Sequence, residues 1–238
     1  MMAHSSSPPG PGAVGGTPLE AREPALSGAD PEKRKRILDA SVRTFGRRGF
    51  HDARIAEIAA AAKVAEGTVY LYFRNKEDLL GTIFDETMDD LLARGRKLAA
   101  TGASAADRLT GLVDLHLRIL GSDRDLASLF QIELRRSARL MERVIREKLV
   151  DYFRILGGVV KEGIASGELR ADLQPRLAVR ILFGAADEIL SEWIFAGGGE
   201  PVANARKLVG ALLRGFASGE TAPPKKNPRG HSRRSPRS

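Results

Sequence analysis

The chain has 238 residues, of which 42% are hydrophobic, so it is long enough for one large domain or two small ones. It contains no cysteine, which excludes disulfide bonds, thiolate zinc sites and cysteine nucleophiles. No apolar run approaches the roughly 20 residues of a membrane span, and the N-terminus lacks signal-peptide features, so we expect a cytoplasmic protein without membrane contact.

The net charge of +8 is unevenly distributed. Residues 31–76 carry 11 bases and 5 acids, and residues 220–238 carry 6 bases and 1 acid. The long segment 77–219 carries 20 bases and 21 acids and is therefore almost neutral. This asymmetry is typical of a protein in which one part contacts a polyanion and another part does not.

Both ends of the chain are predicted to be tails. Residues 1–30 are rich in Pro, Gly, Ser and Ala, which indicates disorder. We expect residues 219–238 to form a disordered basic tail that adds non-specific DNA affinity. Pro31 is suited to begin the first helix, with Asp30 as its N-cap. The four bases from Lys33 to Arg36 follow at once, and we favour phosphate contact by at least one of them over a merely solvated helix end.

The segment 54–76 has the pattern of a helix-turn-helix, and residues 31–76 form the predicted DNA-binding domain. Apolar residues at i, i+3, i+4 and i+7 define a short helix, and Lys63 interrupts the period. In the next helix, about 66–73, Val69 and Phe73 are predicted to point inward, with Thr68, Tyr70 and Tyr72 outside. The second helix of such a pair fits the DNA major groove.

Two runs of residues in this region resemble the TetR repressor family. They are GF-x-x-x-x-I-x-x-IA over 49–59 and V-x-x-GT-V-Y-x-Y-F-x-N-K-E-x-L over 64–79. The resemblance implies a one-component repressor that binds a palindromic operator as a dimer and is released by a small molecule. Together with the exposed face, it predicts contacts to double-stranded DNA from Arg54, Glu66, Gly67, Thr68, Tyr70, Tyr72 and Lys76.

Three positions depart from the common family pattern. Ala53 stands where a capping Ser or Thr is usual, so we expect Asp52 to cap the second helix. Lys63 replaces the usual turn glycine, which indicates a turn with a non-glycine backbone conformation. Glu66 replaces a frequent lysine, and an acid there either repels phosphate or accepts from a cytosine amino group.

The remainder, residues 77–218, reads as a helical effector-binding and dimerisation domain, so that the fold class is all-α with about nine helices. Asn75 is the predicted cap of the helix that leaves the DNA-binding domain. The helix predicted over 175–196 is apolar over about 220°, and the last helix is strongly amphipathic. We interpret the pair as the interface of a homodimer, with a buried pair inside a monomer as the alternative. Asp187 and Glu188 are expected on the exposed arc of the helix over 175–196.

No enzyme chemistry is evident. The four histidines are scattered, and there is no phosphate-binding glycine motif, no metal-ligand spacing and no nucleophile elbow. We therefore expect no catalysis, no metal and no cofactor other than an effector ligand. We read His116, within an apolar helix, as a satisfied core or pocket group. A non-specific DNA-compaction protein is a weaker alternative, since it has no use for about 140 nearly neutral helical residues.

Residues 113–195 also resemble the fatty-acid-degradation (FadR- and YsiA-like) subgroup of TetR repressors, which respond to long-chain acyl-CoA. The resemblance rests on residues 132–137, 152–156, 162–168 and the LFGAADE run with Trp193-Ile194. An acyl chain needs a long apolar tunnel, which we assign to Leu115, Ile119, Phe130, Leu134, Phe153, Leu156 and Phe183. The CoA phosphates need bases, assigned to Arg135, Arg136 and Arg139. The alternatives are a lipophilic drug as effector, or plain core beside solvated arginines.

Overall fold

A computed structural model describes residues 30–136, 138, 142, 145–197 and 201–216, and the regular structure within them is helical. The first five helices are α1 (Pro31–Arg48), α2 (Ile55–Ala62), α3 (Glu66–Tyr72), α4 (Lys76–Ala99) and α5 (Ala105–Leu120). There follow α6 (Arg124–Ser128), a π-helical turn (Leu129–Glu133), α7 (Leu134–Arg136), a second π-helical turn (Ile145–Leu149), α8 (Val150–Ala165), α9 (Pro175–Ala196) and α10 (Pro201–Phe216). Apart from Asp30, the predicted tails lie outside the described residues, as does Arg139.

Local capping explains where α1 and α4 begin. The Asp30 carboxylate accepts hydrogen bonds from the backbone N–H groups of Glu32 (2.9 Å) and Lys33 (3.4 Å). The Asn75 side chain accepts from the N–H of Asp78 at 2.8 Å. Each of these bonds satisfies a donor that the first helical turn leaves unpaired. Both predicted N-caps are confirmed.

The cap of α2 differs from the prediction. Asp52 is exposed, and the residue at the N-cap is Arg54. The Glu57 carboxylate accepts from the backbone N–H of Arg54 at 3.2 Å, which is one half of a capping box. Asp52 as the cap was therefore wrong. The non-glycine conformation expected at Lys63 was also wrong, because Lys63 ends α2 in the left-handed region that favours glycine, with φ 57° and ψ 47°.

The helix-turn-helix packs on a small apolar core. Ile37 and Phe45 of α1, Ile58 of α2, and Val69 and Phe73 at the end of α3 are all buried. The inward orientation predicted for Val69 and Phe73 is thus confirmed. Since α2 and α3 are only 8 and 7 residues long, this packing rather than intrinsic propensity holds them helical.

Helix α4 connects helices α1–α3, here called the head (residues 31–72), to the rest of the chain. Its buried residues near the N-terminus include Leu79 and Phe84, and the stripe continues through Met88 to Leu92. Farther along, α4 packs on α5 and α8. Helix α5 begins at Ala105, because the Ser104 hydroxyl caps it by accepting from the N–H of Asp107.

The last two described helices complete the bundle. Helix α9 packs on α8 and α10, and α10 also packs on α5. The all-α architecture, a helix-turn-helix followed by a helical bundle, is confirmed. Among the described helices, none is long and apolar enough to cross a lipid bilayer.

Candidate DNA-binding and effector sites

Helix α3, the second helix of the helix-turn-helix, presents an open surface. Tyr70 is 51% exposed and Leu71 is 67% exposed, and no atom lies within 4 Å of where a Cβ on Gly67 would stand. Arg54, Glu66, Tyr70 and Lys76 line one groove of about 450 Å³ beside this helix. The structure thus brings four of the seven predicted DNA contacts together. Leu71, which was not predicted, belongs to the same surface, and its exposure was signalled by its place opposite Val69 and Phe73.

Tyr72 is less exposed than the sequence suggested. Its side chain is half-buried, and its hydroxyl accepts a hydrogen bond from the backbone N–H of Asp30 at 3.1 Å. Thr68 is also half-buried. The prediction that Tyr72 stays fully outside was wrong, because the phenol ties the end of α3 to the start of α1. Whether either residue contacts DNA stays a prediction.

Lys76 has a contact set within the head. Its Nζ donates to the backbone carbonyl oxygens of Phe50 (2.8 Å), His51 (3.0 Å) and Ala53 (2.9 Å). The ammonium also lies 4.9 Å from the centre of the Phe50 ring. Three carbonyl acceptors use all three donors of an ammonium group. Lys76 therefore fixes the loop between α1 and α2, and its predicted contact with DNA is untested.

The bases at the start of α1 differ in their partners. Lys33 pairs with Asp30, and Lys35 pairs with Asp39. Arg34 pairs with Glu86 at 2.5 Å. Arg36 is exposed and has no ion pair with any residue that the structure describes. It is therefore the one of the four best placed to meet a phosphate.

An aromatic cluster lies in the effector domain. The ring centres of Phe153 (α8) and Phe183 (α9) are 5.0 Å apart, nearly perpendicular. Phe183 also lies 5.6 Å from His116 of α5 and 6.5 Å from Tyr152. Phe153 and Phe183 are half-buried, whereas His116 and Tyr152 are almost fully buried. Two of the predicted tunnel residues thus share one site, next to a histidine.

The other predicted tunnel residues fall at different places. Phe130 packs edge-on against Phe84 of α4 with ring centres 4.8 Å apart. Leu115, Leu134 and Leu156 are buried in the core, and Ile119 is half-buried against it. Their assignment to a ligand tunnel stays a prediction.

A polar network joins the π-helical turn to α9. The Asp187 carboxylate accepts from the Gln131 side chain (2.8 Å) and from Arg135 (2.5 Å), and the Ser191 hydroxyl donates to Gln131 (3.1 Å). The expected exposed position is confirmed for Glu188 but was wrong for Asp187, which faces the turn. Both Arg135 and Arg136 are exposed, and Arg136 lies 3.7 Å from Glu133.

His116 is not a satisfied core group. Its side chain is 3% exposed, and neither ring nitrogen has a hydrogen-bond partner in the described structure. Burial lowers its pKa to about 4, against a smaller opposing effect of the Asp187 charge. The imidazole is therefore neutral near pH 7.

The head and the effector domain meet at α1 and α6. A Cβ on Gly46 would lie 2.5 Å from Cβ and 2.6 Å from Cα of Asp125, so only glycine fits there. Arg47 pairs with the same Asp125 at 3.1 Å. One turn farther on, the Glu133 carboxylate approaches to 3.5 Å of the Cβ position of Gly49.

An exposed short helix in a basic helix-turn-helix is the arrangement by which proteins read the DNA major groove. Residues 37–83 match the model of bacterial regulatory proteins of the tetR family, and residues 84–214 match that of the YsiA-like protein C-terminal region. The chain is a transcriptional regulator that belongs to the TetR family.

Three similar proteins place the chain within this family. It is 38% identical to the fatty acid metabolism regulator protein of Bacillus subtilis, over 68% of this chain and 84% of that protein. The crystal structure of the transcriptional regulator FadR from Bacillus subtilis with stearoyl-CoA superposes with a TM-score of 0.69 at 35% identity, covering 77% of this chain and 99% of that one. The fatty acid degradation regulator FadR from Bacillus halodurans gives 0.69 at 34% identity, with the same coverage.

Proposed function

We propose that the protein is a repressor of fatty-acid-degradation genes that binds a palindromic operator as a homodimer and releases it when long-chain acyl-CoA binds. One observation carries the choice of effector: FadR from Bacillus subtilis, 35% identical over 99% of its chain, was solved with stearoyl-CoA. The half-buried aromatic pair Phe153 and Phe183 supplies apolar surface for an acyl chain. Arg136 is exposed, and its ion pair with Glu133 is long, at 3.7 Å, so its guanidinium can turn to a phosphate.

The dimer is proposed through α9 and α10. On α9, Leu177 (52% exposed) and Phe195 (70% exposed) are apolar side chains in solvent, and Ile181 and Gly184 lie on the same helix face. Burying such side chains contributes about 1.5–3 kcal/mol each. A second copy of the same face would cover them by a two-fold symmetric contact. Two heads would then enter successive major grooves about 34–36 Å apart.

Release of DNA is proposed to pass through the junction between the domains. The first π-helical turn, Leu129–Glu133, contacts α9 through the hydrogen bond between Gln131 and Asp187, and it approaches α1 through Glu133. An effector that rearranges the turn therefore acts on the segment against which the head is docked. For a near-complete switch it must favour the non-binding arrangement by about 5.5 kcal/mol.

The effector is tested by operator release. Selection of binding fragments from genomic DNA supplies the operator, and fluorescence anisotropy at fixed salt then follows binding during titration with stearoyl-CoA, free CoA or stearate. We expect release by stearoyl-CoA at micromolar concentration and none by CoA. Release by stearate alone, or no release by stearoyl-CoA, refutes the effector and leaves the family membership standing.

The arginine assignment has a matched control. Arg136→Ala should weaken stearoyl-CoA binding by about tenfold, the size of one charge-assisted hydrogen bond. Arg118→Ala removes an equally exposed arginine that is paired with Asp114 on α5. Equal effects of the two substitutions would show that only net charge matters.

The interface is tested by light scattering after size exclusion. Leu177→Arg or Phe195→Arg should convert dimers to monomers, because each places unpaired charges within a self-contacting surface. Val150→Arg, which alters an apolar side chain of 42% exposure on α8, should leave the dimer intact. Dimers in all three variants would place the interface elsewhere.

A further inference from the structure

His116 is a buried polar group without a visible function in the folded chain. Both ring nitrogens are buried and lack a hydrogen-bond partner among the residues that the structure describes, although about nine-tenths or more of such groups in proteins are paired. The neighbouring Tyr152 does not satisfy it, because the Tyr152 hydroxyl donates to the carbonyl oxygen of Leu112 at 3.3 Å. A buried unpaired group of this kind points to a partner that binds there.

The surroundings of His116 restrict the chemistry of that partner. The ring lies 5.5 Å from the Tyr152 ring and 5.6 Å from the Phe183 ring, so its contacts are mostly apolar. Phe183 in turn contacts Phe153, and both rings are half-buried, so the aromatic cluster that includes His116 reaches the surface at these two residues. The charge of Asp187 acts on His116, but its carboxylate is already held by Gln131 and Arg135.

A neutral imidazole offers one N–H donor and one acceptor. It suits an uncharged carbonyl oxygen inside an apolar site. It suits a carboxylate poorly, because an anion buried without a cation carries a large desolvation cost. In an acyl-CoA, the thioester carbonyl is the uncharged polar group where the apolar chain meets the polar part of the molecule.

We propose, building on the acyl-CoA effector above, that the imidazole N–H of His116 donates a hydrogen bond to the thioester carbonyl oxygen of the bound ligand. The acyl chain then enters by displacing the Phe153 and Phe183 rings. His116 thereby becomes a specificity-determining residue: it favours a thioester over a free fatty acid without contacting the nucleotide.

The test compares two ligands that differ only in that carbonyl. Isothermal titration measures binding of stearoyl-CoA and of its thioether analogue, in which a CH₂ replaces the C=O. The native protein should bind the thioester about threefold to tenfold more tightly, the worth of one neutral hydrogen bond. His116→Phe should bind both ligands equally, and His116→Gln, which keeps a donor, should retain part of the preference.

Folding of the variants is checked separately. A buried polar group without a partner costs about 1–3 kcal/mol, so the unliganded His116→Phe protein should melt no lower than the native protein. If the native protein binds both ligands equally, the assignment of His116 to the thioester is refuted, whereas the acyl-CoA effector is not. A preference that persists in His116→Phe overturns it as well. Failure to bind either ligand refutes the proposed function itself.

Discussion

Replacement of Gly46 by alanine probes the contact between the head and the effector domain. The added Cβ would lie 2.5, 2.6 and 2.8 Å from Cβ, Cα and O of Asp125. Two of these atoms are backbone, so no side-chain rotation relieves the overlap. Ordinary contact begins near 3.4 Å, and α6 must therefore move by close to 1 Å relative to α1.

The expected cost follows from overpacking, which destabilises by about 1–3 kcal/mol. Alanine also gains about 1 kcal/mol over glycine in a helix interior, and this gain must be removed by a control. Gly158→Ala in α8 is suitable, because nothing lies within 4 Å of its Cβ position. Relative to this control, Gly46→Ala should lower the free energy of unfolding by about 1–3 kcal/mol.

Thermal unfolding at fixed protein concentration measures the difference. One kcal/mol shifts the melting temperature by about 2–4 °C for a chain of 150–250 residues, so the two variants should be well separated. If Gly46→Ala and Gly158→Ala melt together, α1 does not pack on Asp125 as described, and the proposed route between the domains loses its first contact.

Three further substitutions test the head and the core. Lys63→Gly should stabilise the protein by about 0.5–1 kcal/mol in urea unfolding, because the left-handed backbone disfavours a side chain by somewhat more than glycine costs in chain entropy; a loss would place the strain elsewhere. Lys76→Met should lower the free energy of unfolding of the DNA-free protein by about 1.5–3 kcal/mol, because three carbonyl oxygens lose a charged donor. An unchanged melting temperature would favour a role for Lys76 only at DNA. For His116, burial holds the folded pKa at about 4, below the ordinary value of 6.5, so the unfolded chain binds more protons between these pH values. The native protein should therefore lose stability as pH falls from 6.5 to 4, by at most about 1.4 kcal/mol per unit from this residue, and His116→Phe should show a shallower fall.

Helix content and the head were predictable because their signals are local. The apolar period of α1, its cap at Asp30 and the cap of α4 at Asn75 each involve residues within one turn. The turn at Lys63 was foreseeable from the interrupted apolar period, but its left-handed backbone was not, because the sequence places no glycine there. Such features depend on backbone sterics and nearest-neighbour hydrogen bonds, which the sequence states directly.

The errors arose where distant segments meet. Tyr72 and Asp30 are 42 residues apart, and Asp187 and Gln131 are 56 apart. The helical period assigned Tyr72 and Asp187 to solvent, because a local pattern carries no information about a partner that is distant in sequence. Asp52 is not the cap for a different reason: the helix begins two residues later, with Arg54 as its N-cap, and the Glu57 carboxylate accepts from the Arg54 N–H.

The helical segment from Arg124 to Arg136 changes its geometry midway, and the apolar pattern of the sequence does not show this change. Its middle is π-helical, and π-helical turns are wider than α-helical ones, so their side chains point in directions an α-helix would not allow. Phe130 meets Phe84 of α4, Gln131 meets Asp187 of α9, and Glu133 approaches α1 at Gly49. A single turn therefore contacts the connecting helix, the proposed effector site and the head. Coupling between two sites requires an element that both can bias. Because α6, which contacts Gly46 and Arg47 through Asp125, runs directly into this turn, we expect a change in the geometry of the turn at Gln131 to reach the surface on which the head rests.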